Sequence, residues 1–432
     1  MGRFCRPFPQ QKQLLQPVPW WGDMAAFLVL QAARFGDLVQ SGRLLRGLQA
    51  QGETHLAVDA GLAPLARLLY PFAPVWELAL HGRPTGAALA RNREVLAQWR
   101  RQDYAAVYNC NYSGLTAALC RVFAPEQVHG YRPTPGGLLR SPWAALGFGL
   151  SARRAETPLN LVDFWGHFCA EPALPAAVNP RPLPGGGGIG VVLAGREARR
   201  SLSLPMLTQL LPAVFRLLGG PAVFLLGTAA EQPAARRLRR LLPTQVQERV
   251  RDLCGKTDWP GLTAALTGLD LLLTPDTGTM HLAARLGVPV LAFFLSSAWA
   301  HETGPYGPGH HVWQAALPCA PCLESAPCPR GTACGKPLAS ADVLRSVAAV
   351  LRGGPVPPPP PGLQVWRTGL DVLGGRLDLL AGEDAHAAAR AHWRALLFRR
   401  LRLPDASEQG NTPAPEWFAP DAGWMLPPGR YC

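Results

Sequence analysis

The sequence predicts an α/β fold of two parallel-sheet domains followed by a C-terminal helical extension, and three observations carry this. Short apolar runs alternate with helix-like stretches in both halves of the chain, a Pro- and Gly-rich passage divides the halves, and 432 residues exceed what one hydrophobic core usually supports. In the first half, 26–31 (AFLVLQ) reads as a strand and is followed by a loop through Gly36 and Asp37. A helical stretch with Leu38, Leu45 and Leu48 on one face comes next, and 55–59 is a second strand. Strand, helix, strand in that order is a βαβ unit, which implies parallel pairing. A helix over 91–101 and a strand over 105–109 continue the alternation.

The passage 171–188 (EPALPAAVNPRPLPGGGG) has no helical or strand periodicity and marks an interdomain connection. Its four glycines precede the strand at 189–193, whereas a dinucleotide fingerprint follows its strand, so they read as linker. Strands over 189–193, 222–226, 269–273 and 288–294 give the second half the same parallel character. The expected domains are 1–180, then 185–350 with a Cys-rich loop at 318–335, then a helical and irregular extension, 363–432, beyond the stiff stretch PVPPPPP at 355–361. The tail from Asp405 shows no periodic pattern.

Composition narrows the function classes. With 48% hydrophobic and 16% charged residues the chain is globular rather than disordered. Forty-two Lys and Arg against 29 Asp and Glu give +13, which favours anionic partners such as nucleotide phosphates, phosphorylated glycolipids or membrane surfaces. The basic residues are dispersed, without a groove-reading motif or aromatic array, so no nucleic acid is expected. The first 20 residues hold no continuous apolar region, and the apolar stretch around 210–226 is broken by Arg216, Gly219, Gly220 and Pro221. The expected location is the cytoplasm, with peripheral contact at the inner face of the membrane.

The most informative segment is 269–295, LDLLLTPDTGTMHLAARLGVPVLAFFL. It reads as buried strand, tight turn at 275–278, helix at 279–286 closed by Gly287, and strand, so the turn lies at the carboxyl edge of a parallel sheet where such folds bind ligands. Thr277 and Gly278 then offer backbone N–H groups and a hydroxyl at a helix N-terminus, a natural anion site. On the plainer reading Asp276 is an N-cap, Gly278 a turn glycine, and His281 a polar neighbour of the apolar stripe.

PDTGTMHLAARLGVPVLAFF followed by GPYGP at 304–308 resembles the donor site of the ADP-heptose:lipopolysaccharide heptosyltransferases, glycosyltransferase family nine. VLQAARFGDLVQSGRLLRGL at 29–48 is similar to that family's first loop and helix, and LAGREARRSLSLPML at 193–207 to the start of its second domain. The likeness covers roughly 25–350 and implies a GT-B-like enzyme, two Rossmann-like domains facing a cleft, working without metal. It implies Asp37 as catalytic base on the acceptor-side loop with Gly36, and Arg200, Asp276, Thr277, Gly278 and His281 as donor-binding residues. It implies an ADP-heptose-like donor and an anionic glycolipid or glycan acceptor, hence sugar transfer in lipopolysaccharide biosynthesis. The chain departs from the pattern at Arg200, where Lys is common, at Leu202 and Ser203, where a Trp-Pro pair is common, and after Asp37, where Gln40, Ser41 and Gly42 stand. A nucleotide-sugar epimerase and a catalytically degenerate nucleotide-sugar-binding scaffold are the alternatives.

Cys319, Cys322, Cys328 and Cys334 form C-x2-C-x5-C-x5-C, with zinc-knuckle spacing in the first pair only. Four thiolates are compatible with a structural zinc or iron–sulfur site, two disulfides, or free thiols. Lying after the donor domain, the loop reads as structural rather than catalytic.

Overall fold

The computed structural model describes residues 25–403, apart from 83, 84, 135, 136, 196 and 325; the readings of the first 20 residues and of the tail from Asp405 fall outside it. The first sheet is built from β1 (Ala26–Leu30), β2 (Glu53–Asp59), β3 (Val75–Leu78), β4 (Tyr104–Asn109), β5 (Val128–Thr134) and β6 (Gly137–Arg140), in the spatial order 3-2-1-4-5-6. All its pairings are parallel except β5 with β6. All five residues of β1 are buried, as a central parallel strand covered on both faces requires. The helical stretch after β1 is two helices, Phe35–Gln40 and Gly42–Gln49, separated at Ser41. The Ser41 hydroxyl donates to the Asp37 carbonyl at 2.9 Å, a local bond that competes with helix continuation.

The second sheet contains β7 (Ile189–Val192), β8 (Val223–Leu226), β9 (Val250–Asp252), β10 (Leu271–Pro275), β11 (Val290–Phe294), β12 (His311–Ala315), β13 (Leu363–Leu370) and β14 (Gly375–Ala381). Its order is 14-13-12-11-10-7-8-9, so counted from β7 the parallel part runs third, second, first, fourth, fifth, sixth, the Rossmann order. The first sheet ends at Arg140 and the second begins at Ile189, with the Pro- and Gly-rich passage between them.

One expectation is corrected. The stretch 363–381 is not helical but an antiparallel hairpin, β13 and β14, added to the second sheet beside β12. LQVWRTGL carries a period of two: Leu363 and Val365 enter one apolar cluster while Trp366 enters the other and bonds Gln364 on its own side through Nε1 at 3.2 Å. The helical reading holds for Ala387–Leu401, whose Trp393 and Leu397 pack in the cluster that also contains Leu159 and Phe164 of the first half. Arg390 of this helix bonds the Ala155 carbonyl, so the end of the described chain returns to the first domain.

The two halves share that apolar cluster and a buried charge. Arg43 Nη1 lies 2.6 Å from Asp163 Oδ1, both side chains being 2% exposed, and it also donates to the Leu373 carbonyl at 2.7 Å. Tyr306 donates its hydroxyl to Asp163 Oδ1 at 2.6 Å and Gly375 its amide to Oδ2 at 2.7 Å. Burial pushes the Asp163 carboxyl above its ordinary value, opposed by Arg43, Tyr306 and Gly375. Gly374 must be glycine here: its φ is +146°, and a Cβ would stand 2.0 Å from the Asp163 carboxyl carbon. Asp163→Ala strands the Arg43 charge in the interior, which typically costs about 3–5 kcal/mol. Urea unfolding should show a loss of that size for Asp163→Ala and for Arg43→Ala, with the double variant losing less than the sum.

Candidate active site

Both sheets present their carboxyl edges to one cleft of about 1460 Å³. On the first domain, 31–37 leaves β1 at the switch point between β1 and β4, and Asn111, just past β4, braces it by accepting from Ala32 N at 3.1 Å and donating to the Leu30 carbonyl at 2.8 Å. Asp37, in the first turn of Phe35–Gln40 where a helix N-terminus favours negative charge, is half-buried and lines the cleft. On the second domain, the switch point lies between β7 and β10, and 276–279 leaves β10 there.

The structure brings all the expected donor-side residues together. The helix Gly278–Arg285 starts at the cleft, capped by Thr277, whose hydroxyl accepts from Met280 N at 3.3 Å. Thr277, not Asp276, is therefore the N-cap, and Asp276 is released for another role. It pairs with Arg200 at 2.6 Å and accepts from the Thr303 hydroxyl at 3.1 Å. Burial raises the Asp276 carboxyl above its ordinary value, against the pull of Arg200. Arg200 also approaches Glu324 at 3.4 Å, while its buried Nε–H has no partner among the described residues. The guanidinium is thus held at the cleft by Asp276 and Glu324.

His281 is buried, 3.8 Å from Asp276 and beyond hydrogen-bond distance. Burial, with the Arg200 charge second, lowers its imidazole to about 3. It stands neutral at physiological pH. Because its folded value lies below the unfolded one, near 6.5, the stability linked to this residue is complete above pH 6.5 and is lost as the pH falls toward 3. An NMR titration should find the His281 ring unprotonated from pH 8 to pH 5.

Gly278 is small for a reason the sequence hid. A Cβ on it would stand 2.2 Å from Phe35 Cδ1, so the glycine admits a first-domain ring onto the second-domain helix. Gly36 completes the approach, since a Cβ there would lie 3.3 Å from His281 and 3.5 Å from the Gly278 Cα. Trp259 adds to the same contact, its ring centroid 4.8 Å from that of Phe35 and its Nε1 donating to the Gly61 carbonyl at 2.9 Å.

Sequence reasoning missed further cleft residues. Arg154 of the first domain donates to Glu302 at 2.6 Å and to the Ser297 carbonyl at 2.7 Å across the cleft. Nothing local marked either residue. The Cys-rich loop, expected to be merely structural, borders the site: Leu323 and Glu324 line the cleft, and Arg199 holds the loop by donating to the Ala326 carbonyl at 2.7 Å. Its four cysteines are free thiols. Cys322 Sγ donates to the Cys319 carbonyl, and Cys328 Sγ accepts from Thr332 N, each at 3.3 Å. Among the described residues no three His, Cys, Asp or Glu side chains are gathered to hold a metal ion, so the thiols as placed do not fit a closed zinc or iron–sulfur ligand set.

Gly278→Val should lower thermal stability by the roughly 1–3 kcal/mol typical of overpacking. Adding Phe35→Ala should restore part of that loss in a thermal melt, because it removes the ring the new side chain meets.

Residues 215–330 match the family model for glycosyltransferase family 9 (heptosyltransferase). A curated relative, lipooligosaccharide heptosyltransferase 2 of Haemophilus influenzae, is 32% identical over 75 residues, 17% of this chain and 22% of that protein's length. The matched part is thus about a fifth of the relative. Among solved structures, a glycosyl transferase family 9 protein from Veillonella parvula aligns at 14% identity and a TM-score of 0.52, over 66% of this chain and 84% of that one. The Escherichia coli heptosyltransferase WaaC with ADP aligns at 17% identity and 0.50, over 65% of this chain and 91% of that one. The two structural likenesses show a shared GT-B-like fold, and the likeness to glycosyltransferase family 9, the heptosyltransferase family, is carried by the segment 215–330.

Proposed function

We propose that this chain is a metal-independent glycosyltransferase that moves a sugar, a heptose first among the candidates, from an ADP-heptose-like nucleoside diphosphate donor to a hydroxyl of lipopolysaccharide or another surface glycan. The observation that carries this reading is the meeting in one cleft of a first-domain carboxylate, Asp37, with Arg200 and the N-terminus of Gly278–Arg285 on the facing domain. WaaC, which shares the fold, was solved with ADP, which supports a nucleotide in the equivalent cleft.

In this reading the second domain holds the donor and the first the acceptor. The helix N-terminus and the Arg200 guanidinium receive the diphosphate oxygens. A bound diphosphate competes with Asp276 and Glu324 for the guanidinium, and Asp276 keeps Arg200 in place when the cleft is empty. As the bond from the anomeric carbon to the diphosphate breaks and the acceptor oxygen bonds to that carbon, Asp37 takes the hydroxyl proton. The leaving diphosphate carries away the bonding pair and is stabilised by the same cation and dipole. Transfer without a metal should survive a chelator.

The protein is proposed to work in the cytoplasm at the inner face of the membrane. Among the described residues no helix is long and apolar enough to cross a membrane. Arg236, Arg237, Arg239 and Arg240 are all exposed on the helix Gln232–Leu241 and suit an anionic surface.

Asp37→Asn keeps the size and removes the base. It should lower kcat by about two orders of magnitude or more, as general-base loss typically does, while calorimetry finds affinity for the nucleoside diphosphate nearly unchanged. Near wild-type turnover would remove Asp37 from the chemistry; lost nucleotide binding would overturn the division of labour between domains.

A further inference from the structure

For a chain of +13 the cleft carries the opposite balance. Among its described lining residues carboxylates outnumber arginines seven to three, and no lysine stands with them. A space read as the seat of a diphosphate is therefore lined mostly by like charge. Most of these carboxylates have local duties. Glu302 and Glu197 pair with Arg154 and Arg199. Glu231 accepts from Thr228 N at 2.7 Å, and Asp258 caps the helix Trp259–Leu266 by accepting from Gly261 N at 2.8 Å. Asp276 is buried against Arg200.

Glu324 is placed differently. It belongs to the Cys-rich loop, its side chain is 33% exposed, and its Oε1 lies 3.4 Å from Arg200 Nη1, while Nη2 of the same guanidinium is 2.6 Å from Asp276. Arg199 pins the backbone on both sides of it, Nη2 donating to the Leu323 carbonyl at 3.3 Å and to that of Glu324, and Nη1 to that of Ala326. The side chain can turn toward solvent while the loop stays. One guanidinium is thus shared by two carboxylates before any ligand arrives.

Charge then separates donor from product. When the bond to the anomeric carbon breaks, the diphosphate oxygen keeps the bonding pair, and the terminal phosphate gains a second ionisation at about pH 6. At neutral pH the freed nucleoside diphosphate therefore carries about one more negative charge than the sugar-bearing donor. Arg200 and the helix N-terminus alone would hold that product more tightly than the donor. We propose that Glu324 is a specificity-determining residue that offsets this preference. It faces the guanidinium that the diphosphate engages, repels the added charge, and returns to Arg200 as the nucleoside diphosphate leaves. The cleft then favours donor over product and resists inhibition by what it releases. This rests on the transferase reading for the identity of the ligand.

The test is calorimetry on the full chain at neutral pH with two pairs of probes, ADP with ADP-glucose and UDP with UDP-glucose. Glu324→Gln keeps the size and removes the charge. It should tighten the nucleoside diphosphate about two- to fivefold more than the matching sugar nucleotide, the scale of a solvent-screened charge pair. Glu324→Asp keeps the charge and should retain the wild-type ratio of the two affinities. A disturbed loop moves both ligands together, so the ratio tells charge from structure. Shifts in Glu324→Gln that are equal for both ligands or favour the sugar nucleotide, or a ratio that Glu324→Asp changes as much as Glu324→Gln does, would overturn the role of Glu324 and leave the transferase reading standing. A wild-type chain that binds neither pair would sink the donor reading, and this inference with it.

Discussion

The arrangement of this molecule depends on one buried carboxylate. Asp163 draws together Arg43 from the helix Gly42–Gln49, Tyr306 beyond β11, and the turn between β13 and β14, segments that lie far apart in the chain. An unpaired guanidinium in an interior is expensive, so Arg43 is satisfied only when all these segments are in place. Asp163 and Arg43 together tie the hairpin, through Leu373 and Gly375, to the first domain, and with it the second sheet.

From that docking the cleft follows. Each sheet has a switch point where neighbouring strands lead their connections to opposite faces, and a crevice opens there at the carboxyl edge. Asp163 and the shared apolar cluster turn the two crevices toward each other, and the glycines Gly36 and Gly278 let the facing helices come close enough for Phe35 to reach across. Asp37 and Arg200 then share one space although each belongs to a different sheet. Arg154 and Glu302 close the same gap with charge. The Cys-rich loop, through Glu324, is a wall of this space rather than a distant appendage.

The cleft and the smaller chamber beside Asp37 differ in character because their walls differ. The cleft is bordered by backbone at strand ends, hydroxyls and charges, whereas the chamber behind Asp37 is cut into the apolar packing of the first domain.

Much of this was legible in the sequence. The central strands β1, β4 and β10 could be read from short apolar runs between turn signals, because a strand buried on both faces leaves that mark. The strands β3, β9 and β12, with mixed compositions such as VRD and HVWQA, were passed over, and the hairpin at 363–381 was taken for helix. Asp37, Arg200 and the turn at Asp276 to Gly278, which line the cleft, could be singled out because local motifs carry them. The sequence by itself determined the alternation of elements, the loops at the sheet edges and the residues those loops carry. Only the tertiary structure decided that Asp276 holds Arg200, that Phe35 explains Gly278, and that Arg154 meets Glu302 across 148 positions. Local patterns record interactions between residues a few positions apart; a pairing between distant residues leaves no periodic trace, since either partner alone is an ordinary residue in its own segment.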